Sequence, residues 1–483
     1  MQIQFIGLEK YDIEKLFKDV QTPCYILDEA AFIKNGEILK SLQEETGAKV
    51  LLAEKAFSNF TVFPLLSQYL AGTEASGLFE ARLGHEEMPG KEVHVFSAAY
   101  GDKDFKEVLK YTDHIIFNSV YQLKKYGPMA KAAGKEIGLR INPECSTQEG
   151  HAIYDPCSPG SRLGVTREIF DLEMDPDTLS LLSGLHSHTL CEQDSDALAI
   201  TVKAIKEKFG DILPKMKWIN LGGGHHITRH DYNIPLLKKI ILDLKKTYNL
   251  DVYLEPGEAV ALNAGYLVTK ILDIVRNSGH NIAILDMSAA CHTPDVIEMP
   301  YMPPLLNSYP ITNDKNTSTN GADSSELSES SAVSDPSVLS VSSPVNCPDP
   351  DAFTETMTDL FGDVFGDAIN DIFGDDTDFS SSDSASSGSV SNNSASSSTS
   401  LVEHIYRLAG PSCLAGDVIG DYAFDHDLNR DELLVFGDMA IYSICKNNTF
   451  NGIPLPAIYL LKKDGTIELI KKFSYEDFKE RLG

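Results

Sequence analysis

Basic residues are scarce in this chain. Lysine and arginine number 41 against 71 aspartates and glutamates in 483 residues, a formal net charge of −30. So acidic a chain repels polyanions, which excludes nucleic acid and anionic membrane surfaces as expected partners and favours a cationic ligand. Paired cysteine motifs are missing as well. The eight cysteines, at 24, 145, 157, 191, 291, 347, 413 and 445, show no CxxC spacing. A disulfide framework or zinc site is therefore not expected, no metal is assigned, and a reducing cytoplasm fits. No apolar run reaches the roughly 18 residues of a membrane-spanning helix. The opening MQIQFIGLEK lacks a basic stretch followed by an apolar one, so no secretory signal is expected.

What the chain has instead is rhythm. Thr22 to Leu27 reads as a strand, and Asp28 caps a helix over roughly 29–45. The apolar run Val50 to Ala53 follows, then further strands at 93–97, 114–117, 137–141, 182–187, 216–221, 251–254 and 282–285, with helical segments between the earlier ones. Strand–helix alternation every 20–35 residues or so implies parallel strands joined by crossover helices. Eight such units close into a (β/α)8 barrel with the working residues at the C-terminal strand ends; an open doubly wound sheet is the alternative. The barrel is expected over 22–262. Beyond it come short β-rich runs such as Tyr266–Thr269 and Leu433–Phe436. These mark a mostly-β domain built from 1–21, 263–308 and 402–483.

Residues 309–401 interrupt that domain. They are rich in Ser, Asp, Asn and Thr, and hold sixteen acidic residues and one lysine, Lys315. Such sequence buries too little apolar surface to offset its ordering entropy, so a disordered low-complexity insertion is expected. Within it Asp359, Asp363, Asp367, Asp371 and Asp375 recur every four residues beside Phe361, Phe365, Ile369 and Phe373. That pattern fits plain disorder or a helix formed on a partner.

Several strand ends carry chemistry. Lys55 closes the 50–53 run; it is either a solvated surface lysine or, if desolvated, a nucleophilic amine for an aldehyde. Gly222, Gly223 and Gly224 follow an apolar strand, as a simple turn or as a loop offering N–H groups to a phosphate. Glu255 ends another strand in the run EPGE, as a cap or as the partner of a pyridine nitrogen. His186 and His188 share one strand face. They could ligate a metal, with Glu192 the nearest third candidate, or stack on an aromatic cofactor, and His186 could be a hydrogen-bonded core histidine. Cys413, in the loop GPSCLAGD, is an inert thiol or a proton donor.

Taken together and in order, the strand-end lysine, the paired-histidine strand, GGG, EPG, GPxC and Asp438-Met439-Ala440-Ile441-Tyr442 resemble the fold type III pyridoxal phosphate decarboxylases. The stretches ASGLFEARLG (75–84), SPGSRLG (158–164), HSHTLCE (186–192), CHTPDVIEMPY (291–301) and CLAGD (413–417) resemble the carboxynorspermidine/carboxyspermidine decarboxylase branch in particular. The resemblance implies pyridoxal 5'-phosphate as cofactor, attached through Lys55. Glu255 would pair with its ring nitrogen and His188 would stack on the ring. Gly222, Gly223, Gly224 and Gly257 with Tyr442 would hold the phosphate end. It also implies a homodimer with shared active sites, in which Cys413 and Tyr442 come from the partner and a protonated Cys413 returns a proton to Cα after CO2 leaves. A cationic polyamine tail needs carboxylates, and Glu258, Asp295 and Asp417 are the candidates. Glu258 stands where related decarboxylases commonly carry Arg. Met302 and Gly437 depart from the usual Arg and acid. Leu414 replaces the Asp of ornithine-type enzymes. A diaminopimelate or other amino-acid decarboxylase, a racemase, or an inactive regulator of the same fold are the competing readings.

Overall fold

A computed structural model describes residue 8 and residues 11–148, 155–311 and 404–483. The described residues lie in one compact unit. Of the expected acidic insertion, 309–311 are described and 309–310 belong to a strand; 312–401, with the aspartate repeat, lie outside the described residues.

Strand β1 spans Cys24–Asp28. Eight further strands close a parallel barrel: β2 (Lys49–Ala53), β3 (Gly72–Ala75), β4 (Glu92–Phe96), β5 (His114–Phe117), β6 (Glu136–Arg140), β7 (Gly184–His186), β8 (Trp218–Asn220) and β9 (Asp251–Leu254). Closure comes from β2 pairing with β9, Val50 opposite Leu254. The strands are short apolar runs buried on both faces, as a sheet covered outside by helices and filled inside by side chains requires. Trp218 shows how the interior is filled. Its ring lies over Gly138 and Gly184 on the two preceding strands, and a Cβ at Gly184 would sit 2.0 Å from the indole.

The mixed sheet contains β10 (Gly265–Asn277), β11 (His280–Leu285), β12 (Ser308–Pro310), β13 (His404–Ala409), β14 (Val418–Phe424), β15 (Leu433–Phe436), β16 (Ala457–Leu461) and β17 (Ile467–Lys471). Its order is β12-β14-β13-β11-β10-β1-β16-β17, with β15 also paired to β10. The two runs singled out in the sequence thus pair with each other, Leu267 opposite Phe436.

One boundary differs from expectation. Strand β1, assigned by sequence to the 22–262 barrel, belongs to the mixed sheet, antiparallel to β10 and parallel to β16. All five of its residues are buried, so it needs neighbours on both sides, and the barrel already closes without it. Asp28 does cap the helix Glu29–Thr46, accepting from Ala30 N–H at 2.9 Å and Ala31 N–H at 3.3 Å. Strands β12 and β13, which flank the acidic insertion, both pair with β14.

Candidate active site

Parallel closure brings the C-terminal ends of all eight barrel strands to one rim, and a cavity of about 640 Å³ opens there. Lys55, Glu255, His188, Gly224, Gly257, Glu258 and Tyr442 line it together. Lys55 follows β2 by two residues and is exposed within the cavity rather than desolvated.

Glu255 follows β9 directly and is almost fully buried. Its Oε2 lies 2.9 Å from His186 Nε2, and its Oε1 accepts from Asn220 Nδ2. Burial alone would raise its pKa, but His186, then His94 and Asn220, outweigh burial and hold it below the usual carboxylate value. Glu74, at the end of β3, goes the other way. Burial and the charge of Glu255 push it well above its usual value. The two neighbouring buried acids are thus pushed apart, Glu255 toward the anion and Glu74 toward the neutral acid.

His188 Nδ1 accepts from Gly223 N–H at 3.1 Å, and burial with the Lys55 charge keeps the imidazole neutral. The glycine loop is set by packing. A Cβ at Gly223 would lie 2.1 Å from the Glu255 carbonyl oxygen, and one at Gly224, where φ is +81°, would lie 1.9 Å from that of Leu190. Of the three glycines only Gly224 borders the cavity; Gly222 N–H is taken by Asn220 Oδ1 and Gly223 N–H by His188. Gly257 seats the EPG turn against Ala53 and Ala56.

Tyr442 corrects one expectation. The sequence reading placed it across a dimer interface, yet it lines the cavity of its own chain. Its N–H donates to Ala56 O at 2.9 Å, which ties the mixed-sheet domain to the Lys55 turn. Cys413 is exposed, with its N–H on Asn451 Oδ1, and does not border this cavity.

The expected substrate carboxylates separate into three situations. Glu258 lines the cavity, with its Oε2 3.1 Å from His226 Nε2. Asp295 is paired to Lys446, which also bonds Glu298 at 2.5 Å. Asp417 is buried and fully engaged, accepting from Ser288 Oγ at 2.9 Å, Ser412 N–H at 3.2 Å and Ala290 N–H at 3.2 Å. It fastens the cysteine loop to the helix Ala289–His292 and does not border the cavity. Near Glu258 the field is acidic. Burial, then the Glu258 charge, raises Asp438 to about 6, and desolvation with the same charge raises Glu192.

Sequence reasoning missed Glu74, Phe96, Arg140 and Asn220. Each ends a barrel strand or sits on one, so position was the available signal. Arg140 is buried with its guanidinium 4.6 Å over the Phe96 ring, and its NH2 donates to His188 O at 3.0 Å. Neither His186 nor His188 belongs to a metal-type cluster. Among the described residues that geometry occurs at Glu92, His94 and His114. There Lys49 already supplies a cation beside Glu92, and the two imidazoles stack at 3.9 Å.

An amine, a buried anionic acceptor, a flat neutral imidazole, a glycine turn and a phenol around one cavity fit the donor set that pyridoxal 5'-phosphate needs. The barrel with its mixed-sheet partner domain and this rim is the architecture of the fold type III decarboxylases.

No protein-family model matches the chain. It is 35% identical over 465 residues to the carboxynorspermidine/carboxyspermidine decarboxylase of Campylobacter jejuni, covering 96% of this chain and 99% of that one. A carboxyaminopropylagmatine decarboxylase of Synechocystis is 33% identical over 96% of this chain and 95% of its own length. Among solved structures, carboxynorspermidine decarboxylase from Campylobacter jejuni complexed with norspermidine superposes with a TM-score of 0.71 at 34% identity, covering 96% of this chain and 100% of that one. The chain belongs to the carboxynorspermidine/carboxyspermidine decarboxylase family and is a decarboxylase of polyamine biosynthesis. No helix among the described residues is long and apolar enough to cross a membrane.

Proposed function

We propose that the chain uses pyridoxal 5'-phosphate, held through Lys55, to remove the α-carboxylate of a carboxylated polyamine of the carboxynorspermidine/carboxyspermidine class. The observation that carries this reading is that Glu258 lines the same cavity as Lys55 and Glu255. In this reading Glu255 would serve as acceptor for the cofactor ring, and Glu258 would meet the cationic tail in the same cavity.

When bound, the cofactor supplies an electron sink for the pair released as CO2 departs. The rest falls to the chain. Lys55 would hold the cofactor through its amine, exposed in the cavity where a substrate amine can approach it. Glu255 accepts from the ring nitrogen, and the neutral His188 imidazole offers a flat face. Gly224 and Tyr442 take the phosphate end, and the packing-locked Gly222, Gly223 and Gly257 hold that loop in shape. Glu258 draws in an ammonium group, with Asp295 reaching it only if it leaves Lys446. Cys413, contributed by a second copy in a homodimer with shared sites, returns the proton to Cα. A cytoplasmic location is part of the proposal.

Reconstitution tests it. Full-length protein incubated with pyridoxal phosphate and dialysed should retain an absorbance band of a lysine-bound cofactor and release CO2 from carboxynorspermidine or carboxyspermidine. Lys55→Ala should lose both. Protein that binds no cofactor overturns the reading. The Synechocystis relative makes carboxyaminopropylagmatine, whose tail is also cationic, the natural third substrate to assay.

A further inference from the structure

His186 borders the same cavity and lies against Glu255. We propose that His186 is a positioning residue: its Nε2–H holds Glu255 as the ionised acceptor for the cofactor's ring nitrogen. The inference rests on the reading that pyridoxal phosphate binds in this cavity.

Both side chains are shut away from water, His186 at 1% and Glu255 at 3% exposure, and the contact is 2.9 Å. The imidazole's other nitrogen settles where the proton is. His186 Nδ1 is buried and has no hydrogen-bond partner among the described residues. A proton there would be desolvated without an acceptor, so the single N–H of the neutral ring belongs on Nε2, facing the carboxylate. The ring is also clamped in plane. Phe96 stacks on it at 5.5 Å with 10° between planes, and Arg140 lies over Phe96 in turn. Asn220 fixes the second carboxylate oxygen.

Charged and titratable groups reach this pair from the surrounding strand ends. Lys55 follows β2, Glu74 lies on β3, His94 lies on β4, Arg140 ends β6 and His188 follows β7. Glu74 is the critical neighbour. Two buried carboxyls side by side tend to share a proton, and something must decide which keeps its charge. The His186 N–H bonds Glu255 and not Glu74, which biases the pair toward Glu255 as the anion. Burial lowers the pKa of His186 and outweighs the opposing pull of Glu255, which favours the neutral donor.

Three full-length proteins test this: wild type, His186→Phe and His186→Gln. Phenylalanine keeps a flat ring against Phe96 but has no donor; glutamine keeps an N–H donor. Affinity for pyridoxal phosphate is measured by fluorescence titration, and the bound cofactor's absorbance is followed from pH 6 to 9. Losing a hydrogen bond to a charged group should weaken binding about 10- to 100-fold in the phenylalanine variant. Its spectrum should also titrate where the wild-type spectrum is flat, with glutamine restoring most of both. Equal affinity and a flat spectrum in the phenylalanine variant overturn the inference. So does nitrogen NMR of histidine-labelled wild type that finds His186 protonated on Nδ1, a measurement that holds even if the variant does not fold. Wild type that binds no pyridoxal phosphate overturns the functional reading and this inference with it, whereas wild-type binding unaffected by the substitution overturns the inference alone.

Discussion

His226 Nε2 lies 3.1 Å from Glu258 Oε2, so the carboxylate that faces the cavity is already held by an imidazole. Burial lowers the pKa of His226, but the hydrogen bond and charge of Glu258 outweigh that and raise it above its usual value. A group whose pKa is raised by folding contributes stability that is fully present below its unfolded value, about 6.5. That stability is lost as pH rises through the raised, folded value. The difference in thermal midpoint between wild type and His226→Gln should therefore be largest below about pH 6.5 and shrink at higher pH. Melting curves at stepped pH check this, and a difference that grows with pH contradicts it.

Glu258→Gln keeps the shape of the side chain and removes its charge. If Glu258 meets an ammonium group, KM should rise about tenfold or more, the usual loss for a hydrogen bond between charged groups, with kcat changing less. Steady-state kinetics on carboxynorspermidine read it directly. A fall in kcat alone would place Glu258 with the cofactor instead.

Asp417→Ala removes an acceptor shared by Ser288 Oγ and the N–H groups of Ala290 and Ser412. Buried donors left without a partner should cost about 1–3 kcal/mol of stability. The expected signature is a lower urea midpoint with KM unchanged, because Asp417 does not border the cavity. A raised KM at unchanged stability would return Asp417 to the substrate.

Gly223→Ala would drive a Cβ to within 2.1 Å of the Glu255 carbonyl oxygen, which is backbone and cannot swing aside. Overpacking of this kind should destabilise by about 1–3 kcal/mol and displace Glu255. Both a lower thermal midpoint and weaker cofactor retention are expected.

Replacing 312–403 with a short Gly/Ser linker should leave turnover and thermal midpoint near wild type. Strands β12 and β13 flank β14, with Pro310 opposite Tyr422 and His404 opposite Phe424, so the two attachment points are two strand spacings across and about three residues along, roughly 14 Å apart. A large loss of kcat would show that the acidic segment contributes to the site or to assembly.

Much of this was legible in the sequence because a barrel repeats one local rule. Each apolar run ends at the same rim, so Lys55, His188 and Glu255 could be read as neighbours although 200 residues separate the first from the last. What depends on long-range pairing was not legible. Cys24–Asp28 looks like any other strand of a βα unit; only its partners, Gly265–Val268 and Ala457–Leu461, put it in the other sheet. Carboxylates were recognisable as such, but the groups that hold them, His226 for Glu258 and Lys446 for Asp295, come from elsewhere in the chain. That Tyr442 lines the cavity of its own chain was not legible for the same reason, since its backbone bond to Ala56 joins residues nearly 400 apart.

The most direct test of the account is a competition assay. Wild-type protein loaded with pyridoxal phosphate is given carboxynorspermidine and meso-diaminopimelate together, and CO2 from each is counted by isotope. Strong preference for the polyamine precursor, reduced in Glu258→Gln, is the expected result. Preference for diaminopimelate would contradict the assignment of the acidic side of the cavity to a polyamine tail.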